Sequence, residues 1–235
     1  MKQILVTLTF LFALSGFAQK ANAPSHPSAD ASGDLETVLS LMDKAAPNFK
    51  SAEADFQQDQ YTKIVNVKDV QNGKMYLRRN GKDLEAGMMV TSPISRQIVF
   101  KDGKVSIYDR KIDQITERDA GKNKADVESF MRLGFGERGH DLLKSYDVKM
   151  AGWETIDGIK TAKLELVPKS DKMRGMFSNI IWWIDPQQDL SVQQQMFEPS
   201  GDYRLVHYTN IKLNSKPSQD YFRIDKTSKT KIVRP

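Results

Sequence analysis

From about residue 52 onward the chain alternates apolar and polar residues with a period of two, and turn dipeptides interrupt the alternation at short intervals. Residues two apart share one side of a sheet, so this pattern demands strands, each with one greasy face. The turn signals are Asn72-Gly73, Asn80-Gly81, Asp102-Gly103, Asp157-Gly158 and Ser200-Gly201, with a proline-containing turn at Asp185-Pro186-Gln187-Gln188-Asp189. Such residues supply the positive φ that tight hairpins need. Sequential hairpins give an antiparallel sheet, not βαβ units. Counting strands at 52–62, 70–78, 84–91, 96–101, 104–109, 114–118, 147–156, 159–168, 179–185, 190–197 and 203–213 gives about eleven.

The apolar faces follow from the same count. Met75, Leu77 and Arg79 lie together, as do Leu84, Ala86, Met88 and Val90. Ala162, Leu164 and Leu166 repeat the pattern, and Tyr203, Leu205, His207, Thr209, Ile211 and Leu213 form the longest run. A sheet with one greasy face must be covered. The cover available is small. Leu35, Val38, Leu39 and Met42 recur at helical spacing behind Ser32 and Asp34, in a helix that ends near Pro47. A second helical stretch at 124–133 carries Val127, Phe130 and Met131; a third lies near 141–146, and 171–177 offers Met173 and Met176. About three short helices over so many strands make a thin lid. The expected architecture is a strongly curved, unclosed antiparallel β-barrel capped by helices around an apolar cavity, lined by Met75, Leu77, Leu84, Ala86, Met88, Val90, Leu164, Leu166, Leu205 and Ile211. A filled core is the alternative that composition leaves open. Ten methionines suit either an adaptable wall or gap-filling.

The N-terminus reads as an export peptide: Lys2, then an apolar run from Ile4 to Phe17, too short to span a bilayer. Cleavage after Ala18 is preferred, because the Ala21-Asn22-Ala23 alternative places Pro24 directly after the cut. Residues 19–33 are small, polar and Pro/Ser-rich, a flexible leader, and 34–235 form one domain. With no cysteine there is neither disulfide, lipid attachment nor thiol nucleophile, and the mature chain is expected to be soluble in the periplasm. The net charge of +5 is spread along the chain without a run of like charges, so nucleic acid is not the expected partner.

Catalytic machinery is not visible. Gly134-Phe135-Gly136-Glu137-Arg138-Gly139 matches the dinucleotide fingerprint GxGxxG. That loop must leave a parallel strand and open a helix, so here it reads as a break between lid helices. His26, His140 and His207 have no metal-ligand spacing, and His207 reads as an interior histidine. No metal or cofactor is expected. Arg79 stands out, because a guanidinium at the end of a greasy face needs acceptors. The terminal carbonyls of lid helices would serve, or the side chain snorkels to water.

Taken in order, Phe49-Lys50-Ser51-Ala52, Ala54-Asp55-Phe56-Gln57-Gln58, Asn72-Gly73-Lys74-Met75-Tyr76-Leu77-Arg78-Arg79, Val90-Thr91-Ser92-Pro93, Ile98-Val99-Phe100-Lys101-Asp102-Gly103-Lys104 and Leu166-Val167-Pro168-Lys169 resemble the periplasmic outer-membrane lipoprotein carriers of LolA type. The resemblance covers roughly residues 34–225. It implies a monomeric shuttle that takes acylated lipoprotein cargo from an inner-membrane ABC transporter to an outer-membrane acceptor, and it places the family's lid-latching arginine on Arg79. Relatives commonly have proline after that arginine, with aromatic residues beyond; here Asn80-Gly81 and Leu84-Glu85-Ala86 follow. The region that helps relatives contact the transporter thus differs in this chain. The competing functions are a lipid or lipoprotein sensor on the same fold, a carrier of another lipid, and a lipid-acting enzyme, for which no nucleophile is present.

Overall fold

The computed structural model describes residues 29–81, 83–121 and 124–234; the expected export peptide and most of the leader lie outside the described residues. Helix α1 (Ala29–Ala45) begins ahead of Ser32 and Asp34 and tightens into a 3-10 turn at Ala46–Asn48, where Pro47 has no N–H to continue the helix. Six strands follow: β1 (Ser51–Thr62), β2 (Val67–Asn80), β3 (Asp83–Ser92), β4 (Arg96–Lys101), β5 (Lys104–Asp109) and β6 (Gln114–Asp119). Helices α2 (Lys124–Arg132) and α3 (Gly139–Ser145) interrupt them before β7 (Tyr146–Ile156) and β8 (Ile159–Pro168). Helix α4 (Asp171–Met176) precedes β9 (Asn179–Asp185), β10 (Leu190–Phe197), β11 (Tyr203–Leu213) and β12 (Lys231–Val233).

All twelve strands form one sheet in the order β12-β6-β5-β4-β3-β2-β1-β11-β10-β9-β8-β7, with β12 and β7 unjoined at its two ends. Eleven strands were expected. The twelfth is three residues long, too short to show alternation, and it pairs parallel to β6, covering an edge that would otherwise be open. The segment before it forms a strap across the outer face. Tyr221 stacks on Tyr76 with ring centroids 3.6 Å apart, Phe222 is buried under the Arg78 guanidinium at 4.0 Å, and Gln97 donates to the Arg223 carbonyl at 2.9 Å. Gly87 permits this approach: a Cβ there would sit 2.1 Å from the Tyr221 carbonyl oxygen.

Asp102-Gly103 and Asp157-Gly158 make turns with both residues at positive φ, and Gly81, Asp189 and Gly201 serve their own turns in the same way. Asn72-Gly73 is not a turn. It lies within β2 at a register shift, and the β1–β2 connection is Lys63–Asn66, closed by Asn66 at φ 51°. Gly73 is needed for space, since a Cβ would come 2.2 Å from the Met89 carbonyl oxygen and 2.7 Å from the Phe56 ring.

A second correction concerns β11. Asn210 takes positive φ inside the strand, where the β1 register slips between Glu53 and Asp55. This bulge inverts the phase. Val206 and Tyr208 point inward before it, and Ile211 and Leu213 pack against the core after it. Leu205 therefore sits on the outer face, as does His207, which bonds Asp157 at 2.8 Å and is no interior histidine.

The concave side divides into two halves. Along β7–β9 it is solid: Leu164, Leu166, Ile180, Trp182 and Ile184 are fully buried with Val38, Leu39 and Met42 of α1 and Leu142 of α3. Gly139 lets α3 close on α1, because a Cβ there would stand 2.2 Å from the Leu39 carbonyl oxygen. Helix α4 contributes Met173, whereas Met176, expected in the lid, is 43% exposed. A helix of under two turns points one side chain at the core, and Met173 takes that place. Ser170 caps α4 by accepting from the Met173 N–H at 3.2 Å. Ser170→Ala is expected to cost about 1 kcal/mol in urea unfolding.

Candidate functional site

Under α2 the concave face is hollow. Met75 and Leu77 of β2, Ala86 and Met88 of β3, Ile98 and Phe100 of β4 and Val105 of β5 form the floor. Val127, Phe130, Met131, Leu133 and Phe135 form the roof, and Gln194 and Tyr208 close the side, around a cavity of about 200 Å³. The strands supply this wall because Met75 faces Met88 and Leu77 faces Ala86 across one antiparallel pair, and Ala86 faces Phe100 across the next. Aligned inner positions merge into a continuous apolar surface. Phe130 stacks on Phe177 at 5.2 Å, and Phe135 meets Tyr208 edge-on at 5.5 Å. Burial pushes the Tyr208 phenol above its ordinary range, so it stays neutral.

The roof is held at both ends: Lys124 Nζ donates to Asp83 Oδ1 at 2.7 Å at the start of α2, and beyond its last turn the Leu133–Arg138 connection to α3 is tied down. Gln194 donates to the Leu133 carbonyl at 2.9 Å, and the Ser191 N–H donates to the Gly134 carbonyl at 2.9 Å. Phe135 bridges to Leu190. The Gly136 peptide is gripped from both sides: its carbonyl accepts from Arg79 Nη2 at 3.2 Å, and its N–H donates to Asp189 Oδ2 at 2.9 Å. Gly136 needs its φ of 89° and has no room for a Cβ, which would lie 2.5 Å from the Phe49 ring. The Arg79 guanidinium stands 6.0 Å from that ring.

Two carboxyls are buried beside this clamp. Asp189 is fully buried with Oδ1 unpartnered, and burial raises its carboxyl well above the usual range despite the Gly136 N–H. Glu137 is buried too, and desolvation pushes it up to about 7; Arg132 and Arg79 oppose the rise and Asp141 adds to it. Neither was singled out by sequence reading. Among the described residues no group of three or more His, Cys, Asp or Glu could hold a metal ion.

The geometry is an apolar hollow roofed by α2, and comparison with known proteins agrees with it. The family model for the outer membrane lipoprotein carrier protein LolA matches residues 47–225. This chain belongs to the LolA family. It is 23% identical over 175 residues to the outer-membrane lipoprotein carrier protein of Methylococcus capsulatus, covering 74% of this chain and 75% of that one. Among solved structures it is similar to an uncharacterized conserved protein from Thermus thermophilus, with a TM-score of 0.55, 11% identity, and coverage of 86% of this chain and 99% of that one. It is also similar to MucB, with a TM-score of 0.52 and 12% identity over 86% of this chain and 66% of that one. These two likenesses concern the fold.

In this LolA-family chain Met75, Leu77, Ala86, Met88, Val127, Phe130 and Met131 stand on the cavity wall. Leu84 and Val90 share the inner face but are buried to either side of the hollow, and Leu164 and Leu166 belong to the solid half. Ile211 and Leu35 pack against the core from partly exposed positions. Of the wall residues that sequence reading missed, Ile98, Phe100 and Val105 lay in strands already recognised: Ile98 and Phe100 are two apart on β4, and Val105 faces Phe100 across the β4–β5 hairpin. Gln194 gave no signal, being the middle of Gln193-Gln194-Gln195.

Proposed function

We propose that this protein is a non-enzymatic periplasmic carrier that shields the acyl chains of lipoproteins and moves them from an inner-membrane ABC transporter to an outer-membrane acceptor. The observation that carries this reading is the hollow roofed by α2, whose lining is apolar apart from Gln194 and the tyrosines Tyr76 and Tyr208. Transfer from water is worth about 0.8 kcal/mol per methylene, so even partial coverage of an acyl chain keeps it soluble. At about 200 Å³ the closed cavity is below the ~300–1,000 Å³ usual for ligand sites, so α2 must swing away to admit cargo. Family membership and the Methylococcus relative support lipoprotein as that cargo.

The test is native mass spectrometry of the protein taken from its own periplasm. Co-purifying lipoprotein supports the carrier; preparations holding free lipid alone, or neither under mild conditions, overturn it. The clamp supplies the return stroke. A contact made only in the closed, empty state lowers net cargo affinity and so favours release. Arg79→Leu is expected to keep the fold and to raise amide exchange in α2 by about tenfold or more, as loss of a charged hydrogen bond would. Hand-over of bound lipoprotein should slow; equal or faster hand-over removes the latch.

A further inference from the structure

The end of the sheet opposite Arg79 is unlike the rest of the surface. Antiparallel order puts the β1–β2, β3–β4 and β5–β6 connections at this one end, and each presents an exposed aliphatic. Ile64 is 91% exposed and Val65 62%, Ile94 follows in the β3–β4 loop, and Ile112 is 61% exposed between β5 and β6. The β1–β2 hairpin projects furthest. β3 stops opposite Asn72, so the turn stands clear on that side, while β11 runs up to Tyr61 and the β10–β11 connection reaches Lys63.

This tip is rigid. The Asn66 N–H donates to the Lys63 carbonyl at 3.2 Å, and Tyr61 Oη donates to Asn66 Oδ1 at 3.0 Å. The Lys63 N–H donates to Asp202 Oδ1 at 2.8 Å, while Tyr61 stacks on Tyr203 at 5.1 Å with Phe197 6.1 Å further on. An aromatic collar thus sits behind an aliphatic point whose sequence is Lys63-Ile64-Val65-Asn66-Val67-Lys68. Aromatic rings behind apolar tips are the arrangement of membrane–water interfaces. Charge agrees with that. The side-chain charges of Lys63, Arg110 and Lys111 have no ion pair among the described residues, although the Lys63 and Lys111 N–H groups bond Asp202 and Asp109, whereas Lys68 and Arg96 are paired to Asp59 and Asp109. Asp69 is the exposed acid of the same hairpin.

We propose that the Lys63–Lys68 turn, with the Ile112 loop beside it, docks on an anionic phospholipid bilayer, its aliphatics entering the interface and Lys63, Arg110 and Lys111 facing the headgroups. Convex, separate points favour a bilayer over a protein. A protein interface needs roughly 800 Å² of complementary surface on each side, whereas an interface of headgroups receives a protruding apolar tip without a matching groove. The proposal goes beyond the carrier reading and uses none of the cavity residues.

The test is flotation of the full mature chain with vesicles of phosphatidylethanolamine and phosphatidylglycerol, and with vesicles of phosphatidylcholine alone. The expected result is binding to the first, weakened by salt, and weak binding to the second. The double variant Ile64→Ser, Val65→Ser should lose at least ~tenfold in partition, and Lys63→Gln, Lys111→Gln should abolish the preference for the anionic vesicles. Equal flotation of parent and tip variant overturns the proposal, as does a parent that ignores both vesicles, which would leave the tip to a protein partner. Binding of a soluble acylated lipopeptide, measured in the same proteins, should be unchanged by the tip substitutions. Failure of lipopeptide binding alone would count against the carrier and leave docking intact.

Discussion

Ala86→Trp is expected to reduce binding of an acylated lipopeptide by at least ~tenfold while the protein still folds. Ala86 faces Leu77 and Phe100 across its neighbouring strands and lines the hollow, so an indole at this position grows into existing space. The added ring takes up space in a cavity of only about 200 Å³ that an acyl chain would otherwise use. Where the space already exists, overpacking should fall at the low end of its usual cost of ~1–3 kcal/mol. Leu205→Trp is the control: Leu205 is on the other side of the sheet, paired with Asp59 and Gln195, and the added ring would project away from the hollow. Isothermal titration of both variants decides the matter. Undiminished binding by Ala86→Trp, with thermal unfolding intact, would place the acyl site elsewhere.

That control depends on a feature the sequence hides. The strands and most turns were legible because alternation and Asp-Gly pairs are direct consequences of pleat and positive φ. A bulge is different: Asn210 alone reverses the facing of β11, and an asparagine in a polar-apolar run carries no mark of its conformation. Asn72-Gly73 misleads for a related reason, since glycine serves close approach as well as turns, and only the partner, Phe56 with Met89, tells which. The lid could be read as a lid from Val127, Phe130 and Met131, but not which half of the sheet it leaves empty. That depends on long-range packing, the approach of Gly139 to Leu39 that fills the β7–β9 side. The clamp was half visible: Arg79 from its place on a greasy face, Asp189 only as a turn residue, although its second role as acceptor for the Gly136 N–H lies fifty-three residues away.

The clamp's buried acids give the remaining large effect, on stability against pH. Desolvation raises Glu137 from 4.5 to about 7, so the folded state holds a proton that the unfolded chain releases. Stability contributed by the neutral form is present below about 4.5 and lost as pH rises to about 7. The shift corresponds to something on the order of 3 kcal/mol at full ionisation. Asp189, raised for the same reason, acts in the same direction. So does His140, whose bond to Asp43 raises it and joins α3 to α1; that contribution is lost as pH climbs past the histidine range. Glu85 works oppositely and in a lower window: its bonds to Arg78 and Asn80 outweigh burial and hold it down, so its contribution falls only in acid. Glu137→Gln keeps the side chain's shape and removes its ionisation. Its melting temperature should match the parent near pH 5 and exceed it near pH 8, by roughly 2–4 °C per kcal/mol regained. The slow amides of Leu133–Leu142 should gain protection over the same interval, because the ionisation strains the connection that holds the roof. A difference between the two proteins that is the same at both pH values would mean that Glu137 does not titrate there, and the lid would have no proton-linked component at that residue.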